Sequence, residues 1–184
     1  MEVNSNLNKA VYLDRDGVLN DLVDRGEGFT IDGERFRWTA PFTRAEVCLK
    51  PRVREALELM GQKGYLRILV TNQPDVAGGR IAPDEFERIM QIFRELPLDD
   101  LFVCLHRPQD GCACRKPNPG MLLDARDRHE IDLTRSYLVG DQESDIQAGR
   151  FVHVKTMLVA RARYVVTQAD HRVFDVVEAA LLLP

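Results

Sequence analysis

The 184-residue sequence predicts an α/β fold built on a doubly wound, Rossmann-like parallel sheet. Short, continuously apolar runs alternate along the chain with amphipathic segments of helical period. Continuous apolar runs are typical of parallel strands that are buried on both faces. Strands that alternate with helices indicate right-handed crossovers between parallel neighbours. At this length we expect one compact domain over residues 1–184.

The first half of the chain supplies the first two strands. A strand is expected at residues 10–13, where an apolar run stops at a polar Asp-Arg-Asp-Gly sequence. Residues 21–48 carry glycines and scattered aromatics without a sustained period, so we interpret them as a long excursion compatible with a small hairpin. A proline opens a helix over residues 51–60. The second strand is expected at residues 66–70.

The second half continues the alternation. An amphipathic helix begins at Pro83, and a loop rich in cysteine and proline follows the third strand and extends to Pro119. The remaining expected elements are strands at 101–105, 137–139 and 156–159 and helices at 120–129, near Ile146 and at 173–183.

Charge and hydropathy restrict the partners. With 25 Lys and Arg against 29 Asp and Glu, the net charge of −4 argues against nucleic acid or an anionic membrane surface as a partner. No apolar run reaches the roughly 18 residues of a membrane span. Residues 1–9 have neither the basic region nor the apolar region of a signal peptide, so we expect a cytoplasmic protein. The absence of an exposed apolar stripe in the pattern favours a monomer.

Polar sequences follow three of the expected strands. They are Asp14-Arg15-Asp16-Gly17, Thr71-Asn72-Gln73, and Gly140-Asp141 with Asp145 four residues on. Ligands of such sheets bind where the carboxyl ends of the strands meet, so we expect these residues to converge, together with Lys116 from a loop. Crowded carboxylates repel one another unless a cation is present, and oxygen ligands favour Mg²⁺.

This set of side chains suits phosphoryl transfer through a covalent intermediate. Asp14 is the candidate nucleophile, and Mg²⁺ and Lys116 would neutralise the phosphate oxygens. Asp16 is the candidate acid that protonates the leaving alcohol and later the base that activates water. Taken alone, an Asp-x-Asp-Gly sequence is as well explained by an acidic turn. The ordered recurrence of all four polar elements favours the catalytic interpretation.

These four motifs, in this order, resemble those of the haloacid dehalogenase superfamily of phosphatases, over about residues 10–159. The sequence looks most like the small, capless branch that contains heptose bisphosphate phosphatases and histidinol phosphatases. The features typical of that branch are Leu13 before the first motif, the Cys-Ala-Cys-Arg-Lys-Pro sequence at 112–117, and the Pro-Gly-Met sequence at 119–121.

The resemblance implies roles for the motif residues. Asp14, the backbone carbonyl of Asp16, and Asp141 would hold Mg²⁺, and Asp145 would support that site or serve equally well as a helix N-terminal carboxylate. The residues implied in binding the phosphate or the rest of the substrate are Thr71, Asn72, Gln73, Arg115 and Lys116.

A second metal site is expected in the loop at about 104–119. Its ligands would be three thiols and one imidazole, the donor set of a closed tetrahedral Zn²⁺ site: Cys104, His106, Cys112 and Cys114. The resemblance also implies a structural zinc here, which would place the following Arg115 and Lys116. Cys48 stands apart in the sequence and is expected to be a small buried residue.

The substrate is expected to be a small phosphorylated metabolite of carbohydrate metabolism. The resemblance implies D-glycero-D-manno-heptose 1,7-bisphosphate, cleaved at its 7-phosphate, with histidinol phosphate or another sugar phosphate as the alternative. Where the heptose phosphatases usually have Ser-Gly-Ile-Ala-Arg-Gly, this chain has Pro-Asp-Val-Ala-Gly-Gly at 74–79. The missing arginine and the acidic Asp75 favour a less anionic distal group. A zinc-stabilised binding module without turnover, and a DNA 3′-phosphatase, are the remaining hypotheses.

Overall fold

A computed structural model describes residues 7–160 and 167–184 and confirms the α/β fold. The strands in the described part are β1 (Lys9–Leu13), β2 (Val23–Asp24), β3 (Thr30–Ile31), β4 (Glu34–Arg35), β5 (Trp38–Thr39), β6 (Tyr65–Asn72), β7 (Asp100–Cys104), β8 (Tyr137–Gly140), β9 (Lys155–Val159) and β10 (His171–Val173). The α-helices are α1 (Val53–Gln62), α2 (Pro74–Ala77), α3 (Pro83–Arg94), α4 (Gly120–His129), α5 (Glu143–Phe151) and α6 (Val176–Leu182).

Six strands form one parallel sheet in the order β10-β9-β8-β1-β6-β7. The chain passes from β1 to β6 and β7 on one side, and then crosses to β8, β9 and β10 on the other. The strand order therefore reverses between β1 and β8. In open α/β sheets, this switch point is where a ligand crevice forms outside the carboxyl ends of the strands.

The central strand β1 is buried on both faces, as its continuous apolar sequence predicts. Val11 and Leu13 face a core formed with α1, α3 and α6. Ala10 and Tyr12 face a second core on the opposite side, to which α4 contributes Met121, Leu122 and Ala125. Both layers hold β1 in place, so the loop that follows Leu13 starts from a rigid point.

The excursion after β1 is a nested antiparallel hairpin. Its outer pair is β2 with β5, and its inner pair is β3 with β4. The small hairpin suggested for residues 21–48 is thus confirmed. The hairpin strands are only two residues long each, which explains why no alternating pattern is visible in the sequence.

Three sequence-based predictions of local structure are wrong. The last helix begins at Val176, not at residue 173, because Val173 pairs in β10 and the Asp175 side chain caps the helix by accepting from the Glu178 amide at 2.9 Å. The short helix α2 lies where no helix was expected from the sequence. Cys48 is exposed, since it lies in the segment that leaves the hairpin.

Two further features concern the expected location of the chain. Within the described ranges, no helix has the length and apolar character needed to cross a membrane. Residues 1–6 of the polar N-terminal segment lie outside the described residues.

Candidate active site

The strand-end residues expected to converge do so, around a cavity of about 320 Å³ at the switch point. Asp14 follows β1, Thr71 and Asn72 end β6, and Asp141 follows β8. The amide of Asp14 donates to the Val139 carbonyl at 2.9 Å, which continues the pairing of the strands into the site. The cavity is lined by Asp14, Asp16, Leu22, Phe36, Ala40, Thr71, Asn72, Pro74, Arg115, Lys116, Asp141, Gln142, Ser144 and Asp145.

Lys116 is the buried cation of this site. Its Nζ lies 2.8 Å from Asp14 Oδ1 and 2.5 Å from Asp145 Oδ1, and it donates to the Val70 carbonyl at 2.8 Å. The side chain is 2% exposed, so water contributes little to its solvation. These three oxygens therefore replace its hydration and fix the position of the ammonium group.

Asp145 belongs to this cluster and also caps α5. Its Oδ2 accepts from the Gln142 amide at 3.0 Å, while its Oδ1 faces Lys116. The two interpretations of this residue, a supporting carboxylate and a helix N-terminal carboxylate, are therefore both compatible with its contacts. Oxygens of Asp14, Asp141 and Asp145 lie within 4.8 Å of one another, a spacing at which one divalent cation can be held.

The carboxylates of the site are hard to ionise together. Burial, reinforced by the charges of Asp145, Asp141 and Asp16, raises the pKa of Asp14 to about 8 despite the nearby Lys116. Burial and the charge of Asp145 raise the pKa of Asp141 to about 7. Burial disfavours the charged form of Lys116, but Asp14 and Asp145 outweigh it and raise the pKa of the ammonium group. A divalent cation would relieve the repulsion that remains.

Gly17 has a conformational reason to be glycine. Its φ of +83° is in the region that disfavours side chains, and a Cβ there would collide with the Asp141 carboxylate. The turn after β1 can therefore close against the end of β8 only with glycine at this position.

Two of the motif residues make contacts that motif matching did not predict. The Asn72 side chain accepts from the Lys116 amide at 3.1 Å and donates to the Lys116 carbonyl at 3.0 Å. It thus joins the end of β6 to the loop that carries Lys116. Gln73 is 1% exposed and donates to Asp16 Oδ2 at 2.7 Å and to Thr71 Oγ1 at 2.8 Å, so it supports the site from beneath the cavity wall.

The Cys/His loop brings its four predicted ligands together. The sulfurs of Cys104, Cys112 and Cys114 lie 3.1–3.6 Å apart, and His106 Nδ1 lies 3.5 Å from Cys104 Sγ and 3.3 Å from Cys114 Sγ. These separations are too long for a disulfide and close to the roughly 3.8 Å between thiolates on one tetrahedral Zn²⁺. Burial and the two neighbouring sulfurs raise the pKa of Cys114 to about 12. A bound cation would favour the thiolate and lower this pKa.

A second, outer cavity of about 550 Å³ adjoins the first. Both are lined by Phe36, Ala40, Pro74 and Arg115, so the outer cavity opens onto the inner one. Phe36 and Trp38 come from the hairpin, are 38% and 51% exposed, and line the outer cavity. Phe42 instead packs against the core.

The outer cavity contains a cation that the sequence analysis missed. Arg80 lines it beside Arg107 and Arg115, two residues beyond the position where the relatives' arginine was expected. Asp75 is buried, and its Oδ1 lies 2.5 Å from Arg80 Nε, so an ion pair neutralises its charge. Asp75 therefore gives no reason to expect a less anionic distal group, because its charge is already balanced. The Gly-Gly-Arg sequence at 78–80 is the feature from which this arginine could have been identified.

Comparisons with known proteins agree with this fold and site. A family model described as HAD-hydrolase-like matches residues 113–180, which include Lys116, Asp141 and Asp145. A Helicobacter pylori protein is 35% identical over 161 residues, 84% of each chain. The chain therefore belongs to the HAD-like hydrolases, as its motifs predict.

Two of the similar proteins have the same name. The Helicobacter pylori protein and an Escherichia coli K12 protein, 33% identical over 90% of this chain and 86% of its own, are both D-glycero-beta-D-manno-heptose-1,7-bisphosphate 7-phosphatases. A solved D,D-heptose 1,7-bisphosphate phosphatase from B. bronchiseptica, complexed with magnesium and phosphate, superposes with a TM-score of 0.77 at 28% identity. The superposition covers 95% of this chain and 97% of the other.

The balance of charge around Lys116 predicts a pH-dependent loss of stability on its removal. Because the pKa values of Asp14 and Asp141 are raised on folding, the native state binds protons more tightly than the unfolded chain, and the free energy of unfolding falls as pH rises from about 4 to 8. Lys116→Met should cost about 3–5 kcal/mol near pH 8, where Asp14 and Asp141 carry more negative charge, and less at pH 5, where both are largely protonated.

Urea unfolding at both pH values, without divalent cations, measures this difference. The exposed Lys155→Met is the control and should change little at either pH. An equal cost of Lys116→Met at pH 5 and pH 8 would contradict the electrostatic explanation.

Proposed function

We propose that this chain is a Mg²⁺-dependent phosphomonoesterase that works through an aspartyl-phosphate on Asp14. The observation that carries the proposal is the meeting of Asp14, Lys116 and Asp141 at one cavity on the switch point of the sheet. A nucleophilic carboxylate, a cation for the phosphate oxygens and carboxylates for a metal are the parts that this reaction requires.

In the first step, an oxygen of Asp14 attacks phosphorus while the bond from phosphorus to the leaving oxygen breaks. Asp16 donates its proton to that leaving oxygen, so the product departs as an alcohol. In the second step, Asp16 takes a proton from water, whose oxygen attacks phosphorus. The bond to Asp14 then breaks, and inorganic phosphate is released. Lys116 balances charge on the phosphate oxygens in both steps.

The donor set at the switch point fits a magnesium ion. We assign Asp14, the backbone carbonyl of Asp16, and Asp141 as the residues that hold it, with Asp145 supporting them through Lys116. When bound, Mg²⁺ would neutralise charge on the transferred phosphate and offset the repulsion among the carboxylates. We place the phosphate against Thr71, Asn72 and Lys116, all of which line the inner cavity.

We propose that the Cys/His loop holds a structural Zn²⁺. Its thiols and imidazole are softer ligands than the carboxylates of the inner cavity, so the two sites favour different metals. The amide of Arg115 donates to Cys112 Sγ at 3.4 Å, which ties the metal loop to the residues that follow it. Zinc would thereby fix both Arg115 and Lys116 relative to the cavity.

We propose D-glycero-D-manno-heptose 1,7-bisphosphate as the substrate, with the whole chain acting as a single capless domain. A phosphate in the inner cavity leaves the rest of the molecule facing the outer one, where Arg115 has no carboxylate partner within the described residues and Arg80 lies nearby. The Arg115 guanidinium group suits the second phosphate of a bisphosphate. The exposed rings of Phe36 and Trp38 provide an apolar surface for a sugar ring.

Phosphate release from a panel of substrates tests the function. The heptose bisphosphate, histidinol phosphate, p-nitrophenyl phosphate and a 3′-phosphorylated oligonucleotide should be compared with Mg²⁺ present. Asp14→Asn should lower kcat by roughly 10⁴-fold or more, because the amide is a poor nucleophile. The exposed Asp124→Asn is the matched control and should retain wild-type turnover. Absence of hydrolysis on every substrate would support a binding module instead.

The zinc proposal predicts coupled losses. Cys112→Ser should lower the zinc content of the purified protein and its thermal midpoint, because metal-binding free energy is folding free energy. The sugar phosphatase rate should also fall as Lys116 loses its support. Metal analysis and thermal unfolding check this, with exposed Cys48→Ser as the control. A reduced wild-type protein without zinc would refute the assignment.

The substrate proposal predicts a selective defect. Arg115→Gln should lower kcat/KM for the bisphosphate roughly 10- to 100-fold, the effect of losing a hydrogen bond to a charged group. Hydrolysis of p-nitrophenyl phosphate, which has no second phosphate, should change little. Arg88→Gln, on the exposed side of α3, is the control. Equal losses on both substrates would show that Arg115 does not contact the distal phosphate.

A further inference from the structure

Arg15 is the largest of the fully buried side chains among the described residues, although it carries a permanent charge. Burying a guanidinium group costs several kcal/mol unless its partners compensate. In the described part of the chain its one carboxylate partner is Asp16, and all four distances from Nε and Nη2 to the two Asp16 oxygens are 2.9–3.2 Å. This is a bidentate pair, which fixes the plane of the carboxylate as well as its position.

The remaining surface of Arg15 is held by α3. Its Nη1 lies 3.6 Å from Met90 Sδ, and its guanidinium carbon lies 5.4 Å from the centre of the Phe93 ring. Both partners are core residues that do not line either cavity. The guanidinium group is therefore anchored to a rigid helix on one side and presents its polar edge to Asp16 on the other.

The Asp16 carboxylate has no acceptor site left in this arrangement. Besides the Arg15 pair, Oδ1 accepts from Asn20 Nδ2 at 3.0 Å, and Oδ2 accepts from Gln73 Nε2 at 2.7 Å. Each oxygen thus faces Nε and Nη2 of Arg15 together with one further donor, from Asn20 or from Gln73. These contacts fix both oxygens of the carboxylate relative to β6 and α3.

We propose that Arg15 is the positioning residue that aims the Asp16 carboxylate at the leaving oxygen of a substrate bound in the inner cavity. The inference rests on the proposed function, in which Asp16 donates a proton to the leaving oxygen as the phosphorus–oxygen bond breaks. In the second step, Asp16 recovers a proton from water. Arg15 cannot take part in the transfer because it does not release its own proton.

The experiment compares two leaving groups. A sugar alcohol needs a proton in order to leave, whereas p-nitrophenolate leaves without one. The quantity measured is kcat/KM, since it reports only the steps up to transfer of phosphate to Asp14. Arg15→Gln should lower kcat/KM on the sugar phosphate by about 100-fold, the lower range for a lost general acid, and on p-nitrophenyl phosphate by no more than about threefold. Asp16→Asn should show the same split.

Two further variants separate positioning from a general effect on folding. Phe93→Leu removes the packing partner of Arg15 but leaves the Asp16 pair, so it should lower the thermal midpoint without splitting the two substrates. Arg15→Lys keeps the charge but loses the planar fork, so it should give a smaller difference between the two substrates. It serves as the test variant if Arg15→Gln does not fold.

Parallel losses on both substrates in the Arg15 variants, or no loss on either, would overturn the positioning role. Failure of the proposed function is distinguishable, because it would appear as an active Asp14→Asn protein or as an Asp16→Asn protein with no split.

Discussion

The structure depends on one electrostatic constraint, which is the concentration of negative charge at the carboxyl end of β1. Asp14, Asp141 and Asp145 lie close enough to repel one another strongly in a buried site. Lys116 is the cation that the chain itself provides, and it is held by two of these carboxylates and by a backbone carbonyl. The path of the chain from β7 to α4 brings this lysine beneath the end of the central strand.

Each part of the site is joined to another by polar contacts between distant segments. The Asn72 side chain binds both backbone groups of Lys116, which links β6 to the Cys/His loop. Gln73 links β6 to Asp16 in the loop after β1. Arg15 links that same loop to α3. A change in one loop is therefore transmitted to the reacting groups through rigid strands and helices, where small displacements are costly for catalysis.

The residues proposed for the chemistry and those proposed for substrate specificity lie on different parts of the fold. The residues proposed for phosphoryl transfer lie on strand ends and on the loop after the Cys/His cluster, all supported by the sheet. The outer cavity is built from the hairpin between β1 and α1 and from the segment around Arg80. Because the hairpin has little core of its own, its length and aromatic content can vary without disturbing the central strands. This separation is typical of folds that serve many substrates.

The sequence by itself determined the alternation of strands and helices, the polar motifs at the strand ends and the cluster of three cysteines and one histidine in the Cys/His loop. These features are local, since they depend on periodicity and on spacing within a few residues. Only the tertiary structure decided that Arg80 neutralises Asp75, that Gln73 lies beneath the cavity wall, and that Val173 joins the sheet. Such outcomes depend on which distant residues come into contact, and burial then determines which charges must be paired.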